Sequence, residues 1–220
     1  MSTPEDSILP PTMGKTITVK GDGRIKVKPD TATLNLGVQA TARTATEALS
    51  QANSSAAALI AALKSGGVDA DDIATSGLSI YPQYNSSGVA VSGYQASNNV
   101  AVIVRDISQA GPLIDAAAVS AGDHITVGGV SFFVDDVEAV MGQARAVAID
   151  NARKRAEEYA AAAGVAVGAV REISELSTGS PQPLFARSLM AFKATADAST
   201  PIEAGMQDLS VSVTVVFELV

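Results

Sequence analysis

His124 is the residue of this chain whose type most readily serves catalysis or metal binding. It is the only histidine, and imidazole commonly acts as a general base or a metal ligand near neutral pH. A hydrolase would pair it with a serine nucleophile and an aspartate, and a metal site would need further ligands nearby. The sequence indicates neither arrangement, so a structural role is the favoured interpretation of His124.

Two short motifs match ligand-binding sequences only in part. Asp69, Asp71 and Asp72 cluster carboxylates, but the order of ligands, glycine and terminal glutamate found in an EF-hand calcium loop is absent. We therefore expect a solvated turn. Gly21-Asp22-Gly23 has the G-x-G spacing of a phosphate-binding loop, but neither a third glycine nor a helix follows. We expect a turn there as well.

Composition narrows the classes of function further. The absence of cysteine excludes disulfides, thiolate metal sites and a cysteine nucleophile. A net charge of −8 disfavours nucleic acid or anionic lipid as the main partner, because both attract clustered lysine and arginine. No apolar run reaches the roughly 18 residues of a membrane span. The absence of a nucleophile-base set and of clustered metal ligands favours a protein that is not an enzyme and that uses no cofactor or metal.

An α+β fold, with helices covering largely antiparallel sheets, is predicted from the order of the elements. The order is β-β-α-β-β-α-β-α-β-loop-β, in which hairpins alternate with helices. The first helix follows the capping box Thr44 to Glu47, and Ser108 is the expected cap of the second. Apolar and polar residues alternate most regularly at 31–41 and 209–220, which predicts strands with one buried face.

The longest predicted helix runs from Asp136 to Gly164 and is rich in alanine. Its apolar residues recur at spacings of three and four, which places them on one stripe. The stripe consists of Val137, Val140, Met141, Ala144, Val147, Ala148, Ala152, Ala156, Tyr159 and Ala163. Because alanine dominates, we expect a sheet or a second helix to approach this helix closely.

Residues 1–14 are predicted to be a flexible leader, and residues 15–220 to form one domain or two intertwined α+β subdomains. The leader lacks the basic and apolar regions of a signal peptide. If the protein is exported, we expect a signal or lipid anchor to have been removed and Met1 not to be native. A cytoplasmic location is the alternative.

Two groups of residues are candidates for contact with a ligand or partner. Tyr81, Tyr84 and Tyr94 are expected to form an aromatic cluster across a hairpin, either as a packing group or as a ligand platform. Phe185, Leu189 and Phe192 lie in the long stretch 177–206, which has no clear period. This stretch is either a flap packed on its own core or a subunit contact.

Several short motifs follow one another in a fixed order along the chain. They are Ile17-Thr18-Val19-Lys20-Gly21 with Pro29-Asp30, the helix end Gly66-Gly67, Thr75 with Ile80-Tyr81-Pro82-Gln83-Tyr84, Gly93-Tyr94-Gln95-Ala96, Phe132, the Ala-Arg rhythm from Ala144 to Ala156, and Pro201-Ile202-Glu203-Ala204-Gly205. In these motifs, from about Lys15 to Val220, the chain resembles the SIMPL-domain proteins, which include bacterial periplasmic and outer-membrane immunogenic proteins.

This resemblance implies an α+β fold, export to the cell envelope and assembly into homo-oligomers, including rings. It also implies a loose link to envelope stress, contacts with an envelope protein partner, and no established activity or catalytic residue. The family tends to carry asparagine where this chain has His124, so a function that depends on this histidine is disfavoured. The alternative function is a carrier of a small ligand or lipid, with a pocket between sheet and helices near the tyrosines. A hydrolase using His124 is the least favoured.

Overall fold

The structure, a computed structural model, describes residues 14–86, 88–176 and 199–220. Its three helices and its antiparallel sheets confirm the predicted α+β fold and the predicted order of elements. The elements are β1 (Thr16–Val27), β2 (Thr31–Ala42), α1 (Ala45–Ser65), β3 (Ile73–Tyr84), β4 (Val91–Val104), α2 (Ala110–Ala121), β5 (Ile125–Phe133), α3 (Val137–Ala163), β6 (Val167–Leu176) and β7 (Gln207–Leu219). The predicted leader, apart from Gly14, lies outside the described residues.

The chain divides into two compact units, each with its own sheet and its own core. Among the described residues, the first unit contains 14–27, 136–176 and 206–220, with strand order β1-β7-β6 and helix α3. The second contains 28–135 and 199–205, with strand order β3-β4-β2-β5 and helices α1 and α2. The chain therefore passes from one unit to the other more than once.

Helix α3 packs on the sheet of the first unit through a single row of alanines. Asp136 is its N-cap, and Gly164 ends it in the left-handed conformation. The row consists of Ala144, Ala148, Ala152, Ala156 and Ala160, all buried at a spacing of four. The predicted stripe was too wide, because Val147, Tyr159 and Ala163 are exposed. Small side chains at a spacing of four let the helix backbone itself meet the sheet.

Gly21 and Gly23 do not form the turn predicted for them, since β1 continues through both residues as far as Val27. They lie in the strand under α3. A Cβ atom added at Gly21 would collide with the backbone oxygen of Ala148, and one added at Gly23 with that of Ala144. The glycines are needed because the helix backbone occupies the space of a side chain, not because the strand turns.

Asp22, between these glycines, is held by Ser212 of β7 and by Arg155 of α3. The Ser212 hydroxyl donates to its Oδ1 at 2.6 Å, and Arg155 Nη1 donates to its Oδ2 at 3.3 Å. The hydrogen bond from Ser212 is the main cause that lowers the pKa of Asp22 below its ordinary 3.8; desolvation opposes this shift, and Arg155 adds to it. The charged carboxylate is therefore favoured in the folded state.

Replacing Ser212 with alanine is expected to make folding stability less dependent on acid pH. A carboxyl group whose folded pKa is lowered stabilises the fold above its unfolded pKa, and this contribution is lost as the pH falls through the lowered value. The difference in unfolding free energy between the wild type and Ser212→Ala should thus be largest near pH 7 and shrink below pH 3.8. Urea unfolding at pH 7, 4 and 2 measures it, with exposed Ser210→Ala as the control. A difference that stays constant with pH would contradict the assignment.

The second unit packs α1 and α2 on one face of its four-stranded sheet. Its core includes Leu34, Leu36 and Val38 of β2, with Leu59 and Leu63 of α1. The predicted capping box of α1 is confirmed: Glu47 N donates to Thr44 Oγ1 at 3.3 Å, and Thr44 N donates to Glu47 Oε2 at 3.3 Å.

The helical segment that leads into α2 is capped by a residue other than the one predicted. Asp106, not Ser108, is the acceptor, and its carboxylate receives Ser108 N at 3.0 Å and the Ser108 hydroxyl at 2.7 Å. These bonds lower the pKa of Asp106. Serine and aspartate are both favourable N-cap residues, so the sequence alone could not show which of the two is the cap. The backbone conformation determines it.

Asp72 is not part of a solvated turn, as had been predicted. It is buried, whereas Asp69 and Asp71 are exposed. Arg105 clamps its carboxylate, with Nε to Oδ2 at 3.0 Å and Nη2 to Oδ1 at 2.9 Å, and this contact raises the pKa of Arg105 above its ordinary value. A bidentate arginine satisfies a buried carboxylate, so this aspartate is tied to a residue distant in sequence.

Candidate functional site

The hairpin of β3 and β4 carries the three candidate tyrosines, and β3 is an edge strand. Within the described residues β3 pairs only with β4, so its outer backbone groups have no strand beside them. An exposed edge is a template for pairing with another chain, and natural proteins usually blunt it with charged residues, proline or short length. β3 has 12 residues and no charged one; Pro82 is its one protective residue.

The register of the hairpin separates Tyr81 from Tyr84 and Tyr94, so the predicted cluster of all three tyrosines is wrong. Tyr94 lies opposite Pro82, and Tyr81 lies opposite Gln95. Because successive residues of a strand point to opposite faces, Tyr81 and Tyr94 lie on different faces of the sheet. Tyr94 is partly buried against the core, whereas Tyr81 and Tyr84 are 62% and 57% exposed.

Helices α1 and α2 pack on one face of this sheet. On that face, β3 carries a row of apolar residues that no described helix covers. This row, called the β3 stripe below, consists of Leu78, Ile80, Pro82 and Tyr84. Leu78 is 60% exposed and Ile80 41% exposed. Opposite Ile80, Ala96 of β4 is fully buried, so the boundary of the core runs between the two strands. The hydrophobic core of the second unit is therefore exposed to solvent along β3.

Asn98 of β4 adds a polar group beside the stripe. It lies opposite Leu78, on the face that packs against the helices. Its Oδ1 is buried and has no hydrogen-bond partner among the described residues. A buried acceptor without a donor is costly and uncommon in folded proteins.

The other chemical candidates are not brought together by the fold. His124 Nδ1 donates to the backbone oxygen of Gln39 at 3.0 Å, which ties a turn to β2. Within the described residues no cluster of three histidine or acidic side chains could hold a metal ion. Phe185, Leu189 and Phe192 lie outside the described residues.

Two cavities among the described residues are not lined by Tyr81, Tyr84 or Tyr94. One, of about 740 Å³, lies in the second unit beside α2 and has a mixed charged lining that includes Lys28, Arg105 and Glu203. The other, of about 440 Å³, lies in the first unit between the end of α3 and the sheet, where Ile17, Tyr159 and Leu219 line it.

Sequence reasoning missed the apolar stripe of β3 and Asn98, although Pro82 is typical of an edge strand or a bulge and so indicated the edge itself. A further signal was that strands 73–84 and 91–104 contain no charged residue. Which residues of a strand face the helices depends on its pairing, which no local pattern reveals. The described helices include none that is both long and apolar enough to cross a membrane.

The family match and the similar proteins agree on one protein family. The family named SIMPL and described as a protein of unknown function (DUF541) matches residues 17–217. The chain is 37% identical over 213 residues to the 26 kDa periplasmic immunogenic protein of Brucella melitensis, covering 92% of this chain and 84% of that one. It is 30% identical over 209 residues to the uncharacterized protein YggE of Escherichia coli, covering 94% and 84%. The match spans both units of the fold, and the chain therefore belongs to the SIMPL family.

Proposed function

We propose that this chain is a non-enzymatic protein of the extracytoplasmic cell envelope that acts by assembling with copies of itself and contacting other envelope proteins. The location is supported by the name of the Brucella relative, the 26 kDa periplasmic immunogenic protein. A role in envelope stress is a further expectation from the family resemblance.

The observation that carries this proposal is the uncharged, apolar edge strand β3. Its backbone can pair with a second strand, and the β3 stripe would then be covered by the same partner. Pairing of two β3 edges would be antiparallel around a two-fold axis, so each copy would offer the same surface to the other.

Burial of the β3 stripe in an interface is energetically more favourable than its exposure to water. Burying Leu78 and Ile80, now 60% and 41% exposed, would stabilise an assembly by roughly 25 cal/mol for each Å² of apolar surface removed from water. A charged residue in the stripe would oppose this, because it would have to be buried or left facing its own symmetry mate.

Replacing Ile80 with lysine is expected to shift the protein toward a monomer. The lysine would lie in the middle of the β3 stripe and face another lysine in a two-fold pairing. Light scattering coupled to size exclusion, over at least a hundredfold range of concentration, should show the wild type above monomer mass and the variant at monomer mass.

Val119→Lys is the matched control, because Val119 is 86% exposed on α2, away from β3. It should assemble as the wild type does. A wild type that is monomeric at every concentration, or assembly that is equally weakened by both variants, would overturn the proposal. Circular dichroism of both variants establishes that they are folded.

A second candidate function, a carrier of a small apolar ligand, is favoured by the cavity of about 440 Å³ between α3 and its sheet. This cavity lies in the first unit, not near the hairpin tyrosines where the pocket was predicted. A thermal-shift screen with fatty acids and small aromatic compounds should give a melting temperature that rises with ligand concentration. An Ala163→Trp variant, which would fill the cavity, should lose this rise. A flat response in the wild type would exclude the carrier.

A further inference from the structure

The four strands of the second sheet contain no Asp, Glu, Lys, Arg or His. This holds for β2, β3, β4 and β5 along their whole lengths of 12, 12, 14 and 9 residues. The strand β1 of the other sheet, by contrast, carries Lys20, Asp22, Arg24 and Lys26. The protein as a whole carries a net charge of −8, yet this sheet has no ionic group. We therefore expect a ligand that binds the sheet to be uncharged as well.

The face of this sheet opposite α1 and α2, called the open face below, is polar despite having no charge. Residues of the other face share the core with the two helices, and the open face carries amide and hydroxyl side chains. These side chains include Asn35, Gln39, Gln95 and Asn99, together with Gln83 and Tyr81. Asn35, Gln39, Asn99 and Tyr81 are exposed. Amides carry both donors and acceptors, so this surface can pair with groups of either kind.

Asn99 lies flat on the open face because a glycine flanks it on each neighbouring strand. Its register partners are Gly37 on β2 and Gly77 on β3. A Cβ atom at Gly37 would collide with Asn99 Oδ1, and one at Gly77 would lie 3.5 Å from Asn99 Nδ2. The amide therefore spans the space that two side chains would fill, and it makes no hydrogen bond to another residue that the structure describes. It remains available to a ligand.

Tyr81 stands at the other end of the same surface. It lies opposite Gln95, and Gln83 Nε2 next to it donates to Gln95 Oε1 at 2.6 Å. This bond orients the Gln95 amide beside the tyrosine ring, which is 62% exposed. From Gln95 to Asn99 the strand advances about 13 Å, at roughly 3.3 Å per residue. The aromatic ring of Tyr81 and the free amide of Asn99 are therefore far enough apart to contact two parts of one extended ligand.

We infer that the open face binds an uncharged oligosaccharide chain, with a sugar ring on Tyr81 and sugar hydroxyl or acetamido groups on the amides of Gln95 and Asn99. Nucleic acid, anionic lipid and charged peptide would each bring charges that nothing on this sheet can pair with. An acyl chain would leave the amides unpaired. A neutral glycan offers many donors and acceptors together with apolar ring faces, which suit an exposed aromatic ring.

Calorimetric titration with the hexamer of N-acetylglucosamine and the hexamer of α-1,4-linked glucose, both uncharged, tests this inference. We expect binding of at least one, and an affinity at least about tenfold weaker in Tyr81→Ala, the loss that corresponds to about 1.4 kcal/mol. Val119→Ala is the control, since Val119 is 86% exposed on α2 and belongs to neither proposed binding surface. It should bind as the wild type does.

Asn99→Asp provides a second measurement, because it keeps the shape of the side chain and replaces its amide donor with a charged acceptor. We expect weaker binding with an unchanged melting temperature. The same titration on Ile80→Lys separates this inference from the proposed self-assembly, since the open face is present in a monomer too. No binding of either hexamer, or binding that Tyr81→Ala leaves unchanged, would overturn the inference. So would Tyr81→Ala altering only the oligomer mass, because the open face would then be a contact between copies.

Discussion

Replacing Gly23 with alanine is expected to cost about 3 kcal/mol of unfolding free energy, the upper range for an overpacked site. The added Cβ would collide with the backbone oxygen of Ala144 and would lie within 2.9 Å of two further backbone atoms of α3. Backbone atoms of a helix cannot rotate away as a side chain can. The strand and the helix would therefore have to separate, and the buried alanine row would lose contacts along its length.

Urea denaturation followed by circular dichroism measures this loss, and Gly142→Ala is an informative control. Gly142 lies inside α3, and a Cβ atom added there would meet nothing within 4 Å. Alanine has the higher helix propensity, so this variant should gain about 0.5–1 kcal/mol. The same chemical change would then have opposite signs at two sites of one unit. A neutral Gly23→Ala would mean that α3 does not approach β1 as closely as described.

Replacing Phe217 with alanine is expected to cost about 3–5 kcal/mol, the usual loss for a large buried aromatic residue. Phe217 is fully buried in β7 and is the largest such side chain among the described residues. It lies between Ile17 of β1 and Val170 of β6. The guanidinium carbon of Arg153 lies 5.5 Å from the centre of its ring. The alanine row of α3 supplies no bulk to fill the resulting cavity.

Chemical denaturation at two or more concentrations of protein separates this loss from any effect of assembly. Phe217→Leu, which keeps part of the volume, should lose clearly less than Phe217→Ala. Val220→Ala, at a side chain 74% exposed, should lie within about 0.5 kcal/mol of the wild type. If Phe217→Ala were as mild as Val220→Ala, the core of the first unit would not depend on this ring.

Features that depend on neighbours in sequence were predicted well. The capping box at Thr44, the ends of α3 and the regular alternation in β2 and β7 follow from rules that act within a few residues. The resemblance to the SIMPL family was also readable, because it rests on ordered short motifs. The candidate tyrosines were identified by type, but their relation to one another was not.

Features that depend on which segments meet were predicted poorly. Gly21 and Gly23 indicate a turn when read alone, since glycine is common in turns; the backbone of α3, more than a hundred residues later, makes them part of a strand. Asp72 has a polar neighbourhood in sequence, and its partner Arg105 is 33 residues away. Tyr81 and Tyr94 were placed together, whereas a register one residue different puts them on opposite faces.

The amino-acid sequence by itself determined the elements, their order, the alanine spacing of α3 and the absence of charge from four strands, because these properties belong to single segments. Only the tertiary structure decided that the uncharged strands form one sheet, that the β3 stripe lies on its helix-covered face and that Asn98 points to that face while Asn99 points away from it. The physical reason is that strand pairing fixes faces and edges through hydrogen bonds between distant segments, and no segment carries that information alone.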